Sequence, residues 1–258
     1  MTSALLAVAL MLSQASPPTP SGPHACFRSA TADQAARRAV ALSLLASRAW
    51  LELKLPTVRQ ETQVKELHRR HKQLRERVKA LALDSSFTAR ERELMARPLG
   101  GWDSQELADT SWAMEQAGTL LWALGRHQQL PAYHQPMTMD EALKPITAPG
   151  AAEELLRAPR LRAPAELARV QAESELFVWR AREESARRRE QTGTEVPTHV
   201  TEAIRQARER QTTVRTDGTD LTVGPRRVVE LDAAGLKMLL QVASARRDAL
   251  SFVCAPAS

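Results

Sequence analysis

Tyrosine occurs once in this 258-residue chain and phenylalanine four times, so aromatics make up only 4% of it. None of them falls in the basic run 65–79, which counts against nucleic-acid binding there. Cysteine occurs twice, at Cys26 and Cys254. Two cysteines near opposite ends share no zinc-ligand or redox spacing; they either close one long loop or stay as free thiols. Lysine is scarce as well: six residues against thirty arginines. The sequence has no uninterrupted apolar run near the ~20 residues that a membrane-spanning helix needs. GxSxG, P-loop and GxGxxG signatures are absent, as is a Cys–His pair in a recognisable context.

What remains is the composition of an ordinary soluble globular protein: 43% apolar and 26% charged, with formal net charge +6. Bases and acids are interleaved almost everywhere, so the excess is spread over the surface. Ala4 to Leu12 is a short apolar run ending in the small-x-small Ser13-Gln14-Ala15. Residues 1–15 therefore read as a secretory leader and 16–27 as a Pro-rich linker, although the first basic residue is Arg28. Export to the periplasm or medium is expected, with a cytoplasmic location as the alternative.

The body, 28–254, reads as one mainly α multi-helix domain. Thr31 with Gln34 forms a capping box, and Ala35, Ala39, Val40, Leu42, Leu45 and Ala49 supply an apolar face. After Pro56, Thr57 with Gln60 marks the next start. There Val64, Leu67, His71, Leu74, Val78 and Leu81 form a heptad seam. Thr88 with Glu91 caps a short helix, and Asp103 with Glu106 opens a helix expected to run to Gly125. Between 128 and 164 closely spaced prolines leave room for two short helical pieces, at 139–144 and 151–157. Pro164 sits at the first position of a long helix that fades at Arg187-Arg188-Arg189, and another helix spans 198–211. Near 221–229 a small β-hairpin or extended segment is expected, with Asp232 capping a last helix.

Glu115 is the sharpest single residue. It lies on an apolar helix with Trp112, Met114, Ala117 and Leu121, and a carboxylate there needs a partner or a proton. A structural ion pair with Arg180 or Arg246 is the first reading. The second is a general acid or base in a tryptophan-lined pocket formed with Trp112, Trp122 and Trp179. The basic run Lys65, Arg69, Arg70, Lys72, Arg75, Arg77 and Lys79 suggests phosphate neutralisation, but Glu66 and Glu76 dilute it. A solvated face opposite the seam explains it without nucleic acid. His68 and His71 stand at helical spacing with no supporting acid, so His71 reads as a core histidine and no metal or cofactor is expected.

Several blocks carry a resemblance. Arg28-Ser29 is followed by AxxAARRAVAL, then WAMEQAGTLLWALG, then LRAPAEL with Trp179 downstream, then VVELDAAGL and the closing ARRDALSF. In that order they resemble the bacterial family known as domain of unknown function 4272. The resemblance implies a mostly helical single domain and brings no activity, substrate or cofactor. At its end the family pattern is similar to ERHxALNW, and this chain matches it only at Arg246, Ala249 and Leu250. A family site built on that Glu, His and Asn would be largely lost here, which argues against an enzyme. The first expectation is thus a non-enzymatic helical binding or interaction module with an unknown protein partner. An enzyme using Glu115 and an Arg-rich nucleic-acid binder through 65–79 are the alternatives.

Overall fold

The computed structural model describes residues 27–190, 195–210 and 214–255. The leader, the linker as far as Cys26, and Cys26 itself lie outside them. The protein is mainly α. The first helix, α1 (Ala32–Lys54), starts as its residues dictate. Thr31 Oγ1 accepts from the Gln34 N–H, and the Gln34 side chain accepts from the Thr31 N–H. Its buried residues run almost continuously from Ala35 to Ala49, so it is covered on more than one side.

The second helix, α2 (Glu61–Ala80), corrects one expectation. Its N-cap is Gln60, with no side-chain cap, and the Thr57–Gln60 box does not form. Pro56 folds Leu55–Thr57 into a 3₁₀ turn, and the Thr57 hydroxyl donates to the Lys54 carbonyl instead. The heptad seam faces inward. Leu67, His71 and Val78 are buried, while Val64, Leu74 and Leu81 are half-buried. Next comes α3 (Ala89–Ala96), with the Thr88–Glu91 box in place.

The helix expected from Asp103 to Gly125 is two helices, α4 (Ser104–Thr110) and α5 (Ala113–Ala123). Thr110 and Ser111 are weak helix formers, and the Ser111 hydroxyl competes for a backbone carbonyl, donating to that of Ala108 at 2.6 Å. Trp112 then acts as the N-cap of α5. That helix ends in a Schellman motif, with Gly125 at φ +73°. The Gly125 N–H donates to the Trp122 carbonyl and the Arg126 N–H to the Leu121 carbonyl. α5 packs along α1 on one side. On another, Gly118 lets Met137 pass so closely that an added Cβ would lie 2.1 Å from its Sδ.

The connector holds α6 (Met139–Thr147), capped by Thr138 and Glu141, and α7 (Ala151–Arg157). The longest helix, α8 (Pro164–Arg189), begins with Pro164 at its first position. After it come α9 (Thr198–Arg210) and α10 (Ala233–Val253), whose Asp232 cap accepts from the Gly235 N–H. Two short antiparallel pairs complete the fold. β1 (Phe27–Arg28) pairs with β4 (Cys254–Ala255), joining the two ends of the described chain, and β2 (Thr222–Val223) pairs with β3 (Arg226–Arg227). The hairpin is where the sequence placed it, but Val228 and Val229 belong to a 3₁₀ turn rather than a strand.

The apolar interior forms two main clusters. One gathers α1, α5 and the C-terminal half of α10, and the other gathers the middle of α8, α9, the hairpin and the N-terminal half of α10. Both α8 and α10 contribute to each cluster and pack along one another. The three tryptophans expected to line one pocket therefore do not come together. Trp122 is in the first cluster and Trp179 in the second, and Trp112 lies half-buried against the second. Among the described residues no helix is long and apolar enough to cross a membrane.

Candidate functional site

Glu115 stands at the first turn of α5, where its side chain turns toward α10. Its Oε1 accepts from Arg246 Nε at 2.7 Å, and its Oε2 accepts from the Met137 backbone N–H at 2.8 Å. Both side chains are 1% exposed. Arg246 also donates through Nη1 to the Pro131 carbonyl at 2.7 Å, and its guanidinium lies 4.7 Å over the Tyr133 ring. One ion pair thus ties α5, α10 and both ends of the 131–137 segment together. Of the two arginines expected as partners, Arg246 is the one that meets Glu115.

Arg180 is spent elsewhere. It is fully buried on α8, where Nε and Nη2 grip the two carboxylate oxygens of Asp220 at 2.7 and 3.0 Å. Asp220 in turn accepts from the backbone N–H groups of Leu221 and Val229, each at 2.8 Å. Glu184, one turn along α8, receives Arg180, Arg187 and Arg188. Burial alone would raise the Glu184 carboxyl. The hydrogen bonds from Arg187 and Arg188 and the Arg180 charge hold it below the usual carboxylate range. This network fastens the hairpin to α8. The sequence reading missed Asp220, whose only local sign is an acid immediately before the apolar Leu221-Thr222-Val223.

A third buried pair was missed as well. On α1, Arg48 Nη2 lies 2.5 Å from Glu52 Oε1, its guanidinium is 5.1 Å from the Trp102 ring centroid, and Glu52 Oε2 accepts from the Gly100 N–H. His71 is buried nearby. Burial, followed by the charges of Arg48 and Arg75 and by His68, lowers it to about 4. His68 is exposed, and no group of three metal-ligating side chains occurs among the described residues. His71 makes a pH prediction. The unfolded chain takes up a proton near pH 6.5, whereas the folded state refuses it until about pH 4. The stability this contributes is complete above pH 6.5 and is lost as pH falls toward 4. Between pH 7 and 4.5 the native protein should lose about 2 kcal/mol more than His71→Leu in urea unfolding. Equal losses in the two proteins would remove His71 from that role.

The exposed cations of α2 are mostly matched: Glu66 takes Arg69 and Arg70, Glu61 takes Lys65, and Glu153 lies 3.7 Å from Arg77. Such surface pairs add little stability. They do dilute the positive face that a phosphate backbone would need.

Beside the Arg246 contact a cleft of about 490 Å³ opens between α8, the 128–133 segment and the loop leading into the hairpin. The Tyr133 and Phe177 rings, with centroids 4.3 Å apart, and Val170 form its apolar side. The Tyr133 hydroxyl bonds with the Ser174 hydroxyl at 2.9 Å, and burial pushes the phenol above its ordinary range. Arg169, Glu173 and Arg215 bring charge to the same space. Burial raises the Glu173 carboxyl against the pull of Arg169, Arg246 and Arg215. Trp122 also lines the cleft, while Trp112 and Trp179 do not. Tyr133, Glu173 and Arg215 come from three distant segments, and no spacing in the sequence announced them.

These features define a helical protein with ion pairs sealed into its helix contacts and a charged cleft on one flank. Within that class, the chain belongs to the family described as Domain of unknown function (DUF4272), whose model matches residues 8–209. The blocks VVELDAAGL and ARRDALSF lie beyond the matched span. Neither the curated proteins nor the solved structures contain a match to the chain.

Proposed function

We propose that this protein is a non-enzymatic helical binding module, in which Glu115 and Arg246 act as a strut and the adjoining cleft receives the bound molecule. The observation that carries this reading is the engagement of Glu115. Both carboxylate oxygens are taken by protein donors and the side chain is 1% exposed, which leaves a substrate proton no access to it. Buried carboxylates also arise in structural ion-pair networks, and the Arg180–Asp220 cluster is a second instance in this fold. An exported, oxidising setting fits the same reading, because Cys254 is disulfide-bonded.

The experiment is equilibrium dialysis of the purified full chain against a small-molecule cell extract, with mass spectrometry of both chambers. A binding module enriches one or more compounds on the protein side while their summed amounts stay constant. Consumption of a compound by the native protein, abolished in a Glu115→Gln variant that is still folded, would establish the enzyme reading instead.

A further inference from the structure

We infer that the cleft beside Arg246 is built for a small molecule carrying a single carboxylate on an apolar, ring-bearing body. This rests on the binding-module reading and adds the class of ligand. Matching the charged side chains around the cleft one by one gives the sign. Glu166 is committed to Arg162, whose Nη1 donates to it at 2.7 Å. Arg246 is committed to Glu115 and the Pro131 carbonyl. Glu173 has Arg169 at 3.9 Å.

Arg215 is left. Its guanidinium is exposed on the cleft wall and makes no hydrogen bond or ion pair among the described residues. A planar fork of donors with no acceptor suits a carboxylate, which it can hold through two parallel hydrogen bonds. A second unmet donor belongs to Arg246, which also lines the cleft and whose Nη2 is buried without a hydrogen-bond partner. One cation in surplus calls for one negative charge.

Glu173 decides between anions. It lines the same space, so a phosphoryl group, which carries close to two charges at neutral pH, meets more repulsion there than a carboxylate does. It does not make the cleft an amine site either, because Arg169, Arg215 and Arg246 all act on it. The rest of the ligand is set by the opposite wall. Tyr133, Phe177 and Val170 line that wall while mostly buried, and the small apolar surface they leave to the cleft favours an apolar ligand body such as a ring. A volume of about 490 Å³ is within the range of small-molecule sites.

The test uses three probes of one shape: 3-phenylpropionate, 2-phenylethylamine and phenyl phosphate, each titrated into the full chain by calorimetry and saturation-transfer NMR. The carboxylate should bind saturably with a dissociation constant of about millimolar or tighter, and the other two about tenfold more weakly. Two variants should move its affinity in opposite directions. Arg215→Gln should weaken it about tenfold, and Glu173→Gln should tighten it about threefold or more. Arg215 is exposed and Glu173 only partly buried, so thermal unfolding should show both variants folded. Tighter binding of the amine or the phosphate, no saturable binding of the carboxylate, or weaker carboxylate binding by Glu173→Gln would each overturn the assignment. That failure is separable from failure of the binding-module reading, which dialysis and the stability of Glu115→Gln decide without reference to these probes.

Discussion

Glu115→Gln is expected to destabilise the protein by about 3–5 kcal/mol, the range for removing one partner of a buried charge pair. The substitution keeps the shape and one acceptor oxygen. It also sets a neutral amide, with one acceptor oxygen in place of two, between two donors, Arg246 Nε and the Met137 N–H. If the amide oxygen stays with Arg246, its NH₂ faces the Met137 N–H. If the amide flips, its NH₂ faces the guanidinium. Either way a buried donor is unmatched and the Arg246 charge has lost its counter-ion in a site that is 1% exposed. For a chain of this length the melting temperature should fall by roughly 10 °C or more. Arg246→Met should cost a similar amount, because it strands the carboxylate and frees the Pro131 carbonyl. Differential scanning calorimetry and urea unfolding measure both.

Asp220→Ala should have an effect of the same size but a different reach. Its four hydrogen bonds hold Arg180, the Leu221 N–H and the Val229 N–H, so its loss leaves a fully buried guanidinium with Glu184 alone. A destabilisation of about 3–5 kcal/mol is expected. Hydrogen exchange should show where it acts. The amides of Leu221 and Val229 should lose protection first, while those of α1 and α5, in the other apolar cluster, keep theirs until global unfolding. Uniform loss of protection across both clusters would contradict the view that this network fastens the hairpin locally.

Helix starts were legible in the sequence wherever the signal is local. Thr31, Thr88 and Asp103 each needed only the residue three positions on. Thr57 carried the same signal and did not cap, because Pro56 bends the chain into a 3₁₀ turn before the helix can begin. The break at Ser111-Trp112 was hidden because apolar residues continue through it with helical spacing. The competition of the Ser111 hydroxyl for a backbone carbonyl, together with the burial that each half finds, divides it.

The candidate site divides along the same line. That Glu115 needs a cation follows from its apolar neighbours alone. Which arginine supplies it does not, since Arg246 lies 131 positions away and Arg180 looks equally suitable by pattern. Arg180 is claimed by Asp220, from a loop 40 residues downstream whose path no periodicity predicts. The cleft is less legible still. Tyr133 sits in a Pro-rich connector, Glu173 on the flank of a long helix and Arg215 in the approach to a hairpin, and only tertiary packing brings them together.

The strut reading is tested most directly by a double-mutant cycle of Glu115→Gln and Arg246→Met, read by urea unfolding. If the two residues act as one buried pair, the double variant should be little worse than either single one. The coupling energy should then be close to the loss of one single variant, about 3–5 kcal/mol, with the folded double variant still enriching the same compounds in dialysis. Additive losses with no coupling, or a double variant that folds but has stopped consuming a compound the native protein consumes, would contradict the account.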